Sequence, residues 1–121
     1  MHILVTDDLY TNRLQAGIVI SSLGYTYDEA VNGEEAIEKL NKASYDLILM
    51  DIEMPVRNGL ETTRFIRTNF RGEKKEIPII AITAHNPGDF FDNYADKGFS
   101  GLISKPITEE KLKNVLTNLY K

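Results

Sequence analysis

Leu47-Ile48-Leu49-Met50-Asp51-Ile52-Glu53-Met54-Pro55 is an apolar run that stops on a carboxylate and then turns at a proline. Three other segments have the same form. Ile3-Leu4-Val5-Thr6 runs into the doublet Asp7-Asp8, residues 77–82 run into Thr83-Ala84, and Leu102-Ile103-Ser104 runs into Lys105-Pro106. If the four are parallel strands of one sheet, their carboxyl ends converge. Three carboxylates, a hydroxyl and an ammonium group then meet at one place.

Between these runs the periodicity becomes helical. Residues 11–23 carry Leu14 and Ile18 beside Ala16, Ile20 and Leu23, a wide apolar helical face that Gly24 ends. Residues 25–30 read as a weak second strand. Asn32 is a good N-cap for a helix bearing Ala36, Ile37, Leu40 and Ala43, with Glu35 as its capping-box partner. Asn58 and Glu61 repeat that arrangement for a helix reaching about Phe70, and residues 71–76 read as a loop. Asn86-Pro87 opens a fourth helix, because proline's missing N–H is harmless at the first helical position. Thr108-Glu109-Glu110 opens the last helix, whose Leu112, Val115, Leu116 and Leu119 fit one face.

Strand and helix therefore alternate five times, which predicts an α/β, doubly wound parallel sheet with helices on both faces. Such sheets bind ligands outside the strand carboxyl ends, where the strand order reverses. In a 2-1-3-4-5 order that point lies between the strands ending in Asp7-Asp8 and in Asp51. The chain of 121 residues is one domain, 1–121, long enough to bury roughly two-thirds of its unfolded surface. No apolar run approaches the ~20 residues of a membrane span, and no signal peptide is apparent. The absence of cysteine rules out disulfides and thiolate metal sites and fits a reducing, cytoplasmic setting. With 14 basic and 18 acidic residues the net charge is −4, which argues against direct nucleic-acid binding.

Each candidate residue has an ordinary structural explanation when taken alone. Asp7 and Asp8 could cap a helix, Asp51 could open a turn, Thr83 could satisfy a local backbone group, and Lys105 could be a solvated cation. His2 reads as a packed or solvated side chain. The joint arrangement is harder to explain that way. At 4 Å each pair of carboxylates repels by about 4 kcal/mol at an effective dielectric of about 20. A divalent cation removes that repulsion, and hard oxygen ligands suit Mg²⁺.

In this order and spacing, Asp7-Asp8, Met50-Asp51-Ile52-Glu53-Met54-Pro55 with Gly59, Thr83-Ala84 and Lys105-Pro106 resemble the receiver domain of two-component response regulators. The resemblance covers the whole chain and implies the flavodoxin-like (βα)5 fold. It makes Asp51 the phosphoryl acceptor, with Thr83, Lys105 and small Ala84 around the phosphoryl group. Asp7, Asp8, Asp51 and the backbone carbonyl of Glu53 would hold Mg²⁺ or Mn²⁺. Gly59 and Pro106 would be structural, and the family commonly has a cis peptide at the Lys105-Pro106 position. The donor would be a sensor histidine kinase or a histidine phosphotransfer domain, as in bacterial two-component signalling. A downstream protein would meet the fourth helix, last strand and last helix.

Asn12-Arg13-Leu14 and Lys105-Pro106-Ile107 look most like receivers of hybrid sensor kinases, so a fragment of such a kinase and a stand-alone regulator both stay open. Leu102 stands where many receivers carry an aromatic switch, while Glu53 and His85 occupy positions that tune dephosphorylation. On this reading the chain is not an enzyme beyond promoting its own phosphorylation and dephosphorylation. The rival is a small Mg²⁺-dependent phosphatase or hydrolase with an aspartyl nucleophile. Asp51-Ile52-Glu53 lacks the second aspartate and following threonine of the dehalogenase-like phosphatases. A nucleotide-binding glycine motif is also missing.

Overall fold

The computed structural model describes residues 1–54, 56–84 and 97–120. Pro55, His85 and the helix expected from Asn86-Pro87, with its Phe90, Phe91 and Tyr94, lie outside the described residues. The strands are β1 (His2–Thr6), β2 (Thr26–Ala30), β3 (Leu47–Asp51), β4 (Ile79–Thr83) and β5 (Gly101–Ser104). The described helices are α1 (Tyr10–Ser22), α2 (Gly33–Lys42), α3 (Gly59–Asn69) and α4 (Glu109–Leu119). All strand pairs are parallel, in the order β2-β1-β3-β4-β5. Thr6 is opposite Met50, Asp51 opposite Ile82 and Thr83 opposite Ser104, so the strands finish at nearly one level.

The central runs are continuous in hydrophobicity because both faces of the sheet are covered. Leu4, Ile48, Met50, Ile79 and Ala81 face one side, where they bury Ala36 and Leu40 of α2 and Ile66 of α3. Ile3, Val5, Leu47, Leu49, Ile80 and Ile82 face the other, against Ala16, Val19 and Ile20 of α1 and Leu112 and Leu116 of α4. β2 is an edge strand, and its polar Thr26, Asp28 and Glu29 suit that position.

Two local expectations need correction. Leu14 and Ile18 are not part of the buried face of α1; they are 46% and 58% exposed. Apolar residues lie on more than one side of the helix, and it is Ala16, Gly17, Val19 and Ile20 that meet the sheet. Gly17 favours this face, since a Cβ there would lie 2.3 Å from the Tyr27 hydroxyl oxygen. At α2, Asn32 caps as expected, accepting from the Glu35 N–H at 2.9 Å. The Glu35 carboxylate does not return to Asn32, however. It accepts from the Val31 N–H at 3.2 Å and lies 3.7 Å from Lys39 one turn on. The complete capping box is at α3, where Asn58 and Glu61 each accept the other's N–H.

Candidate acidic active site

The reversal of strand order falls between β1 and β3, and the acidic residues are there. Carboxylate oxygens of Asp7, Asp8 and Asp51 all lie within 4.8 Å of one another. Asp7 and Asp51 are 5% and 2% exposed, held by strands that leave the core immediately before them. The Asp7 carboxylate accepts from the Leu9 N–H at 3.0 Å and the Asn12 amide at 3.3 Å. Asp51 accepts from the Glu53 N–H at 3.1 Å, a bond that starts the turn after β3.

Lys105 is the cation facing this cluster, 3.3 Å from Asp51 and 3.6 Å from Asp7. Its backbone N–H donates to the Thr83 carbonyl at 2.7 Å, so β4 and β5 fix the point from which its side chain reaches across. The Lys105-Pro106 peptide is cis. Thr83 is fully buried at the end of β4, and Ala84 beside it is exposed.

The cluster carries more negative charge than Lys105 balances. Burial above all, with the Asp7 charge in support, pushes its carboxyl up to about 6, against the opposing pull of the Glu53 N–H and Lys105. One ammonium does not neutralise three carboxylates, two of them out of water. The donor set is all hard oxygen, and the residues present fit a divalent cation of the Mg²⁺ type.

Gly59 holds the turn close to the acceptor strand. Its N–H donates to the Ile52 carbonyl at 3.3 Å, and a Cβ there would come within 2.5 Å of the Asp51 carbonyl oxygen. Leu102 is half-buried, packed against the core on the α2 and α3 side rather than among the acids. Glu53 is exposed. His2 belongs to a separate network with Thr26 and Asp28 at the start of the sheet.

In the sequence, Asn12 and Arg13 mark only a likeness to one group of receivers. In the fold both touch Asp7, through its carboxylate and its carbonyl respectively. The signal was their position in the first turn of the helix that follows the acidic doublet.

Residues 3–117 match the family described as "Response regulator receiver domain". The chain is 36% identical over 138 residues to Histidine kinase 5 of Arabidopsis thaliana, a match that takes in 94% of the chain and 15% of the kinase. It thus spans a small part of that relative's length. It is 35% identical over 120 residues to the two-component response regulator ORR41 of Oryza sativa subsp. japonica, covering 96% of the chain and 91% of the relative. Among solved structures it is similar to the receiver domain of the sensor histidine kinase PA1611 of Pseudomonas aeruginosa, which has a magnesium ion in its active-site cleft. That similarity has a TM-score of 0.85 at 29% identity, over 99% of this chain and 98% of the other.

The α/β sheet with its acidic switch point is that of a signalling domain. This chain belongs to the response regulator receiver domain family, whose members serve two-component and phosphorelay systems. Receivers are signalling switches that take phosphoryl groups from histidine kinases or phosphotransfer domains. The phosphatase reading gains no support from these relationships. Among the described residues no helix is long and apolar enough to cross a membrane.

Proposed function

We propose that this domain, residues 1–121, is a phosphorylated switch whose acceptor is Asp51. The observation that carries the reading is the buried Asp51 carboxylate, raised in pKa and held between the Asp7-Asp8 doublet and Lys105. An Asp51 carboxylate oxygen attacks the phosphorus of a phosphohistidine. The P–N bond breaks, its electron pair returns to the imidazole, and an acyl phosphate remains on Asp51. The transition state is loose and charge-rich, so positioning and neutralisation supply most of the catalysis. Asp7, Asp8, Asp51 and the Glu53 carbonyl would hold Mg²⁺, which when bound neutralises phosphoryl oxygens. Lys105 pairs with those oxygens once the Asp51 charge has become part of the acyl phosphate. The Thr83 hydroxyl donates to them, and exposed Ala84 leaves room for the donor or for the water that resets the switch.

Glu53 and His85 tune access of that water. Leu102 has no polar tip to exchange between solvent and interior, so coupling runs through Thr83 and Ala84 rather than position 102. A downstream partner reads the resulting surface beside β5 and α4. The setting is cytoplasmic, matching a cysteine-free chain. NMR with Mg²⁺ and beryllofluoride, a phosphoryl mimic, tests this reading. Amides of Asp51, Thr83, Ala84 and Lys105 should shift together only when both are present, and Leu102→Ala should keep most of those shifts. No response at Thr83 and Lys105, or its loss in Leu102→Ala, would contradict the proposed coupling.

A further inference from the structure

Arg13 is a largely buried cation that the acceptor chemistry does not use. Its side chain is 12% exposed. Nη1 donates to the Asp7 carbonyl at 2.9 Å and Nε donates to the Glu29 carboxylate at 3.0 Å. One guanidinium thus ties the first turn of α1, the loop after β1 and the end of β2. A planar fork with fixed N–H directions can hold two acceptors in this way, whereas a lysine ammonium is a single point.

The consequence falls on Asp8. The peptide before it is fixed at its carbonyl by Arg13, and the peptide after it is fixed at the Leu9 N–H by the Asp7 carboxylate. Asp7 is in turn steadied by the Asn12 amide at 3.3 Å, and its own N–H donates to the Ala30 carbonyl at 3.1 Å. With both flanking peptide planes set, the direction of the Asp8 Cα–Cβ bond is set too. Asp8 is the most solvent-open of the three acids, and no strand holds it in place.

We infer that Arg13, anchored by Glu29, is a positioning residue that aims the Asp8 carboxylate into the metal site. This rests on the proposed reading of the acidic cluster as a Mg²⁺ site. Groups that orient metal ligands from behind commonly change affinity by about 10-fold to 100-fold when replaced. Arg13→Lys keeps the charge and loses the fork, so it should weaken Mg²⁺ binding about 10-fold. Glu29→Gln keeps an acceptor and loses the ion pair, and should weaken it by a smaller factor in the same direction.

The test is a Mg²⁺ titration of the unphosphorylated protein, followed by amide NMR shifts, on wild type, Arg13→Lys, Glu29→Gln, Asp8→Asn and the Arg13→Lys/Asp8→Asn pair. If Arg13 acts through Asp8, its replacement should add almost nothing once Asp8 is asparagine. A merely structural Arg13 would lower metal-free stability and leave the Mg²⁺ Kd of the folded protein unchanged. An unchanged Kd in both Arg13→Lys and Glu29→Gln, or a full 10-fold effect persisting in the Asp8→Asn background, overturns the inference. Failure of the wild type itself to bind Mg²⁺ would overturn the metal-site reading beneath it.

Discussion

The two ends of the sheet treat their aspartates in opposite ways. Toward the start of the strands, Asp28 in the middle of β2 reaches back to accept from the Tyr45 hydroxyl at 2.7 Å and lies 3.1 Å from the His2 ring. His2 stacks on Tyr45 with ring centres 5.1 Å apart, and its other ring nitrogen is 2.7 Å from the Thr26 hydroxyl. The Tyr45 hydrogen bond, followed by His2, holds the Asp28 carboxyl below its ordinary range. At the far end, burial raises Asp51 to about 6. One end is a satisfied polar network that stabilises the fold. The other is a set of three acids whose charge the one ammonium of Lys105 does not balance.

The largest effect should come from removing the charge at the acidic end. The folded protein holds the Asp51 proton more tightly than the unfolded chain does. Metal-free stability therefore declines as pH rises from the ordinary value of 3.8 to about 6, and stays lower above it. A shift of that size corresponds to roughly 3 kcal/mol at most. Asp51→Asn should raise metal-free stability at pH 7 by up to that amount and flatten the pH dependence across the same window. Denaturant unfolding in chelator at several pH values checks it. A destabilised Asp51→Asn protein would mean that Lys105 already satisfies the acceptor.

The smaller effect lies at the satisfied end, with the opposite sign. A depressed Asp28 contributes stability that is present above the ordinary carboxylate range and lost as pH falls through its folded value. Tyr45→Phe removes the principal cause of that depression and should lower stability by about 1 kcal/mol. Asp28 is half-exposed, so solvent limits the effect. Phosphorylation should be untouched. Unfolding curves for Tyr45→Phe beside Asp51→Asn would show the two ends moving stability in opposite directions, and a shared sign would break the comparison.

Much of the acidic end was legible in the chain because strand and site signals coincide there. Each of these apolar runs ends at or just before a candidate residue, so the gathering of Asp7, Asp51 and Lys105 needed only the strand boundaries and their order. Asn58 and Glu61 were equally readable, since a capping box is local. Leu14 and Ile18 were misread because a helix apolar on both sides offers two possible inward faces. The close approach of Gly17 to Tyr27, made across α1 and β2, favours one of them and is not visible in the sequence. The Glu35 carboxylate went to Val31 because a capping pattern names the donor helix and not which of two adjacent N–H groups is nearer. Arg13 was legible as a residue and not as a role, since its partners Asp7 and Glu29 become neighbours only after β1 and β2 pair.

The reading of the acidic end as the working site depends on Asp51 being the acceptor. Intact-mass measurement after incubation with acetyl phosphate and Mg²⁺ tests that most directly. Wild type should gain one phosphoryl group and Asp51→Asn, folded and at least as stable, should gain none. Undiminished labelling of Asp51→Asn would contradict the account.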